Sequence, residues 1–330
     1  MRVLVVGGYG LVGGWVSRHL RAAGHDLELI IAGRRPEVGK VLAGELDARV
    51  VRLDVVEAEA GLAEVGQVDL VVSVVQDPGD NLMMAALRAG AAHINIVRRA
   101  DNLGPSAMAA TLLAQLPALA MGHWQAGVTT FAALGLAQAF QSVERVEMAG
   151  MFDPADPIGE MTTSDSGTFF TQALMRRDHQ WLWVDPSAHL RDVDRGELPS
   201  FKAQPMGVLD VSGVATMTGA RNVRFDLGLG SSIGTVAGRQ ASHEIYVDMW
   251  GKDLQGAASV KRMVVTDPLG QAHLTALGVL VGVERLLGLD GEAAPTGGLV
   301  FPEGLIDPQR ALARLRDFGV VMETVSLEAV

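Results

Sequence analysis

A short apolar run, Val3–Val6, followed by Gly7-Gly8-Tyr9-Gly10-Leu11-Val12-Gly13, constrains this chain more than any other stretch. Val3–Val6 predicts a strand buried on both faces, as in a parallel sheet. From Leu11 the apolar spacing turns helical: Leu11, Val12, Trp15, Val16 and Leu20 share one face, and Gly24 stands where a helix should stop. Gly8, Gly10 and Gly13 satisfy G-x-G-x-x-G, and Gly7, Gly10 and Gly13 satisfy the related G-x-x-G-x-x-G. A glycine turn between a strand and a helix is the context in which this motif binds a dinucleotide. The first glycines let backbone N–H groups approach a pyrophosphate, and Gly13 lets the helix pack close to the strand. The helix N-terminus adds partial positive charge there. The residues assigned to the cofactor are therefore Gly7, Gly8, Tyr9, Gly10, Leu11, Val12 and Gly13.

The next predicted strand, Leu27–Ala32, ends in Gly33-Arg34-Arg35. A site for NAD ordinarily carries an acid about 20 residues beyond the turn, to bind the ribose 2′-hydroxyl. Here two guanidinium groups stand in its place. They suit a 2′-phosphate, so Arg34 and Arg35 point to NADPH. Asp54 and Gln76, which follow later strands, complete the expected cofactor set.

With 330 residues, 48% of them hydrophobic, the chain can bury a sizeable core, and two domains are expected. A net charge of −11 disfavours a nucleic-acid surface, which needs a basic stripe. There are no cysteines, which removes disulfides, thiolate catalysis and cysteine-type zinc sites, and which suits a cytoplasmic protein. The chain enters a strand at once, with no apparent signal segment, and its most apolar stretch, Leu274–Leu287, is too short for a membrane span and carries Glu284 and Arg285. The eight histidines show no metal-ligand spacing, so no metal is expected.

Strand and helix alternate through the first half. Helices are predicted over Glu37–Leu46, Glu57–Val65, Asp80–Ala89 and Pro105–Gln115, and strands over Ala48–Leu53, Val68–Val75, His93–Val97 and Ala118–Met121. This pattern predicts an α/β fold: an N-terminal Rossmann domain, a doubly wound parallel sheet, over 1–125. C-terminal helices within 290–330 could complete it. After a helix over Gly127–Phe140 and a strand over Val143–Met151, a short helix is predicted over Thr168–Met175. Strands follow at Gly207–Val211, Asn222–Leu227, His243–Trp250 and Val260–Val265, then helices at Ala272–Leu287 and Pro308–Phe318. The second domain, 126–290, is therefore expected to be α+β on a mainly antiparallel sheet, serving substrate and dimerisation.

The chain resembles the saccharopine dehydrogenase-like family of NAD(P)-dependent oxidoreductases. The resemblance rests on the N-terminal glycine segment, on Asp69–Val75 with the helix and strand after it, on Gly122-His123-Trp124-Gln125-Ala126-Gly127-Val128-Thr129, and on Thr275-Ala276-Leu277 with Gly297–Glu303. The third piece departs from the family pattern Gly-Phe-Asp-Pro-Gly-hydrophobic-Thr: Gln125-Ala126 replaces Asp-Pro. The resemblance implies making or breaking a C–N bond between an amine and a carbonyl compound, by imine reduction or its reverse. It also implies a homodimer through the second domain's sheet.

Ligands of doubly wound sheets bind beyond the carboxyl ends of the strands. His123 is the first candidate for the proton donor, because it follows a predicted strand and histidine ordinarily titrates near neutrality. It could equally hold the turn by hydrogen bonding. Asp77 is the second candidate, set against a plain Asp-Pro turn contact. Arg98, with Arg99 beside it, could clamp a substrate carboxylate or could be a solvated pair. Trp124, Thr163 and Asp165 are the remaining substrate candidates, with helix capping the alternative for Asp165. The partner expected is a small amine, carbonyl or imine substrate. A non-catalytic NADP(H)-binding or redox-sensing protein on the same fold is the other reading.

Overall fold

The structure is a computed structural model that describes residues 1–97, 100, 103–159 and 171–327. It forms two compact units, Met1–Gly122 with Thr275–Ile306, and His123–Leu274 with Asp307–Val330. The chain thus returns to its first unit over Thr275–Ile306, and its last residues belong to the second.

In the first unit strand and helix alternate: β1 (Arg2–Val6), α1 (Leu11–Ala22), β2 (Glu28–Gly33), α2 (Pro36–Glu45), β3 (Arg49–Arg52), α3 (Ala58–Val65), β4 (Leu70–Ser73), α4 (Asn81–Arg88), β5 (Ala92–Asn95), α5 (Leu103–Leu113) and β6 (Pro117–Ala120). These strands and the late β15 (Gly298–Val300) form a seven-stranded sheet in the order β15-β6-β5-β4-β1-β2-β3. Every pair in it is parallel. Parallel strands between helix layers need apolar residues on both faces. Val3, Leu4 and Val5 accordingly have no exposed surface. Leu4, Ile30, Val71 and Leu82 meet in one core cluster. The strand order reverses between β1 and β4, which is where sheets of this type open a ligand crevice.

The second unit holds α6 (Val128–Ala137), β7 (Phe140–Phe152), the hairpin β8 (Ala173–Arg177) and β9 (Gln180–Val184), then β10 (Arg191–Arg195) and β11 (Leu198–Pro205). It continues through α7 (Asp210–Thr218), β12 (Asn222–Leu229), α8 (Ile233–Val236), β13 (His243–Asp253) and β14 (Ala258–Asp267). Helix α9 (Gln271–Leu286) leads back to the first unit, where α10 (Pro302–Leu305) lies, and α11 (Pro308–Asp317) with β16 (Val321–Leu327) ends the second. The nine-stranded sheet runs β10-β11-β12-β7-β13-β14-β16, with β8–β9 attached to β12. Its pairs are antiparallel except β12 with β7. Helix α6 packs against β7, β13 and β14. Residues Val128–Leu136 of α6 are all buried, because α11 covers the opposite side, with Leu312 against Gly135.

Two predicted elements differ. The helix expected over Thr168–Met175 is not one: Ala173–Met175 begin strand β8, and the rest up to Phe170 lies outside the described residues. Asp178 and His179, at φ 49° and 66°, close a two-residue hairpin between β8 and β9, the left-handed pair that matches strand twist. The strand expected over Gly207–Val211 instead leads into α7, since Asp210, Val211, Val214 and Ala215 are buried at helical spacing and Gly219, at φ 70°, ends the helix. No helix among the described residues is long and apolar enough to cross a membrane.

Candidate functional site

The glycine turn of the first unit is built by close approach. Gly7, at φ 85°, donates its N–H to Ala32 at 2.8 Å, and Gly10 donates to Gly7 at 2.9 Å. A Cβ on Gly13 would lie 2.0 Å from the Gly7 carbonyl oxygen, so no side chain fits there. Ser17 Oγ braces the turn, 3.0 Å from the Gly8 carbonyl and 2.9 Å from that of Gly13. Gly10 caps α1 without a side-chain acceptor, and no acid stands in the first turn. The first N–H groups of a helix have no intrahelical partner. Those of Leu11, Val12 and Gly13 therefore stand at a helix start with no side-chain cap, beside a turn that admits no side chain at Gly13. The residues present fit a dinucleotide pyrophosphate.

Tyr9 shapes the next part. Its ring lies over β2 and α2, so that a Cβ on Gly33 would meet its hydroxyl at 2.3 Å and one on Gly39 its ring at 2.6 Å. The Arg35 backbone N–H donates to Tyr9 Oη at 2.9 Å. Arg34 and Arg35 are exposed, and neither guanidinium has a hydrogen bond or ion pair among the described residues. Asp54 accepts from Val56 N at 3.1 Å and so caps the turn after β3. Val74 and Val75 pack on Gly7, which sets half-buried Gln76 just beyond the glycine turn. Asp77 is buried and accepts from Leu82 N at 3.0 Å and Met83 N at 3.2 Å. This carboxylate holds the start of α4.

In the second unit His123 and Trp124 open a tight turn into α6. Gln125, Ala126 and Gly127 follow one another at φ 52°, 48° and 93°. Two successive non-glycine residues in the left-handed region store strain of order 1–3 kcal/mol each. Proline, whose φ is fixed near −65°, could not take the place of Ala126 in this turn. The exchange of Asp-Pro for Gln125-Ala126 therefore changes the backbone as well as the charge.

Asp210, the first residue of α7, holds this turn shut. It is fully buried and accepts from Trp124 N at 2.6 Å and from Thr130 Oγ1 at 2.8 Å. Burial raises its pKa; the charge of His123 opposes that most strongly, followed by the two hydrogen bonds. The Asp210 carboxylate and the His123 imidazole thus act on each other electrostatically. His243 Nε2 lies 3.2 Å from Trp124 Nε1 and 3.0 Å from Gln125 Nε2. An indole nitrogen can only donate, so His243 Nε2 is an acceptor and the ring is neutral with its proton on Nδ1. Burial agrees, lowering the pKa of His243 to about 3. His243 is a fixed acceptor near neutral pH rather than a proton donor. Trp124 also packs on Phe225, ring centroids 5.5 Å apart, and fills the space above Gly150.

The structure gathers Gly7–Gly13, Arg34, Arg35, Asp54, Gln76 and Asp77 in the first unit, and His123 and Trp124 in the second. Arg98, Thr163 and Asp165 lie outside the described residues. Sequence reading missed Thr130, Asp210 and His243. Among the described residues no cluster of three or more His, Cys, Asp or Glu side chains could hold a metal ion.

By sequence, the chain matches no protein-family profile and no curated protein. By structure, it is similar to apo saccharopine dehydrogenase (L-Glu forming) from Saccharomyces cerevisiae, with a TM-score of 0.73 and 12% identity over 99% of this chain and 100% of that one. It is also similar to GenD2 from gentamicin A biosynthesis, solved with NAD, at a TM-score of 0.51 and 14% identity over 100% of this chain and 97% of that one. An oxidoreductase from Agrobacterium radiobacter, solved with NAD+, L-tartaric acid and magnesium, gives 0.51 and 12% over 99% and 98% of the two chains. The chain has a saccharopine dehydrogenase-like fold.

Proposed function

We propose that the chain is an NADPH-dependent oxidoreductase that acts on a C–N bond, by imine reduction or its reverse. One observation carries the cofactor reading. Exposed Arg34 and Arg35 follow the strand beside the glycine turn, with no acid next to them and no partner for either guanidinium among the described residues. A bound nicotinamide dinucleotide supplies the hydride. Gly7, Gly8, Gly10 and Gly13 would hold its pyrophosphate at the N-terminus of α1, Tyr9 orders the β2–α2 connection, and the two arginines would neutralise the 2′-phosphate. His123, which acts electrostatically on Asp210, holds the proton delivered to the nascent amine nitrogen. Full-length likeness to a saccharopine dehydrogenase supports the C–N chemistry. The cysteine-free composition is compatible with a cytoplasmic setting, and the long antiparallel strands of the second unit, His243–Asp253 among them, support a homodimer through residues 150–270.

Calorimetric titration of both cofactors tests the reading. NADPH is expected to bind at least about tenfold more tightly than NADH, about 1.4 kcal/mol. Arg34→Ala should remove most of that preference; because the side chain is exposed, the fold should be unaffected. Equal affinities, or tighter NADH, would overturn it. Replacement of the family's Asp-Pro carboxylate by Gln125-Ala126 favours the other reading, a dinucleotide-binding protein without turnover.

A further inference from the structure

Strand β9 has a bare edge: among the described residues it pairs with β8 alone. The register sets Arg177 against Gln180, Arg176 against Trp181, Met175 against Leu182, Leu174 against Trp183 and Ala173 against Val184. A two-residue turn, Asp178-His179, closes the hairpin, so Arg177 and Gln180 exchange both of their backbone hydrogen bonds. Bonded pairs alternate along an antiparallel ladder. Leu182 and Val184 therefore also bond to β8, whereas the N–H and C=O groups of Trp181 and Trp183 point away from it.

An unpaired edge is ordinarily blunted by charge, proline, a bulge or extreme shortness. The other edges of the two sheets follow that rule. β3 carries Arg49 and Arg52, and β16 carries Glu323. β10 carries Arg191, Asp192, Asp194 and Arg195, with a break in register after Val193. β15 is only three residues long. β9, Gln180-Trp181-Leu182-Trp183-Val184, has no charge, no proline and no bulge. Its two tryptophans share one face of the strand and are 45% and 47% exposed. The Arg176 guanidinium, 5.1 Å from the Trp181 ring centroid, lies against the first of them. Exposed tryptophan beside unpaired backbone amides is the composition of a strand that adds to another sheet.

The edge is complementary to itself. Antiparallel pairing of two β9 strands about a two-fold axis at Leu182 sets Leu182 against Leu182 of the second copy, Trp181 against Trp183, and Gln180 against Val184. Trp181 and Trp183 become bonded pairs on both sides of the axis, which uses their outward N–H and C=O groups, and aromatic cross-strand pairs add to the contact. This register pairs all five residues of the strand. It also brings exposed His179, just before β9, to exposed Asp185 of the second copy, just after it, an imidazole against a carboxylate at each end. Ser187 donates from its backbone N at 2.9 Å and its Oγ at 2.8 Å to Asp185 Oδ1, which fixes that carboxylate at the strand end. A contact of this kind closes at two copies, because each edge is consumed by the other.

We propose that β9 is the contact between two copies of this chain, the two strands pairing antiparallel about Leu182 with Trp181 against Trp183 of the second copy. The inference rests on the homodimer proposed above, whose contact it narrows to the β9 edge, and it is independent of the oxidoreductase reading.

The chain has no cysteine, so single introduced cysteines report the register. Opposite residues of a non-bonded antiparallel pair have Cα atoms about 4.5 Å apart, within disulfide reach. The full-length Leu182→Cys variant is oxidised with copper–phenanthroline at a concentration at which sedimentation velocity finds the wild type dimeric, and it is expected to cross-link into a covalent dimer. Gln180→Cys, whose like residue would lie roughly 13 Å away along the strand, should not. Trp183→Lys, at an exposed position, should weaken dimerisation at least about tenfold with the circular dichroism of the wild type. A dimeric wild type whose Leu182→Cys variant fails to cross-link, or does so no faster than Gln180→Cys, overturns this contact and leaves a homodimer through another surface. A wild type that is monomeric at micromolar concentration overturns this inference and the homodimer together. Should Leu182→Cys misfold, Trp183→Lys decides: undiminished dimerisation by that variant overturns the contact.

Discussion

His123→Ala is expected to lower turnover by roughly 10²-fold while leaving NADPH affinity nearly unchanged, the usual cost of removing a general acid. The glycine turn and the two arginines belong to the first unit, and His123 belongs to the second. His123 is buried and shares the electrostatics of Asp210, so its loss also touches packing. Steady-state kinetics with the melting temperature measured in parallel separate the two effects. If the variant folds and retains full activity, His123 only holds the turn.

Gly13→Ala is expected to abolish detectable dinucleotide binding, a loss of at least roughly 10²-fold, and to destabilise the first unit by about 3 kcal/mol. The added methyl would sit 2.0 Å from the Gly7 carbonyl oxygen, which is backbone and cannot swing aside. Relief requires α1 to back away from β1, and that movement breaks the bracing of Ser17 against Gly8 and Gly13. Gly14→Ala is the matched control, since a Cβ there would meet nothing closer than 3.5 Å. Calorimetry and thermal melting of both variants check this. Wild-type NADPH affinity in Gly13→Ala would show that the turn does not hold the cofactor.

The first unit was legible because its chemistry is local. Val3–Val6 and Leu70–Val72 are continuous apolar runs that only a sheet covered on both faces can bury, and helical spacing separates them. The short edge strand β15 carried no such run. In the second unit local signals compete. The apolar residues around Met206–Val211 serve a helix entry as well as they serve a strand. Strand β16 lies at a sheet edge with most of its side chains exposed, so it shows little apolar alternation.

The candidate site divides along the same line. His123 and Trp124 could be picked out because they follow a strand. Asp210 and His243 reach Trp124 from 86 and 119 residues further along, through tertiary contacts that no spacing rule encodes. Asp77 could be picked out as polar at a strand end, yet only the structure shows its carboxylate against the N-terminus of α4.

Amine-dependent consumption of NADPH separates C–N bond reduction from cofactor binding without turnover. The protein is mixed with NADPH and a panel of amino acids, each paired with an aldehyde or a keto acid, and both cofactor oxidation and the organic product are followed. NADPH is expected to be oxidised only when amine and carbonyl compound are both present, with a secondary amine accumulating in step. Tight NADPH binding with no oxidation by any pair, or oxidation by the carbonyl compound alone at the same rate, would contradict it.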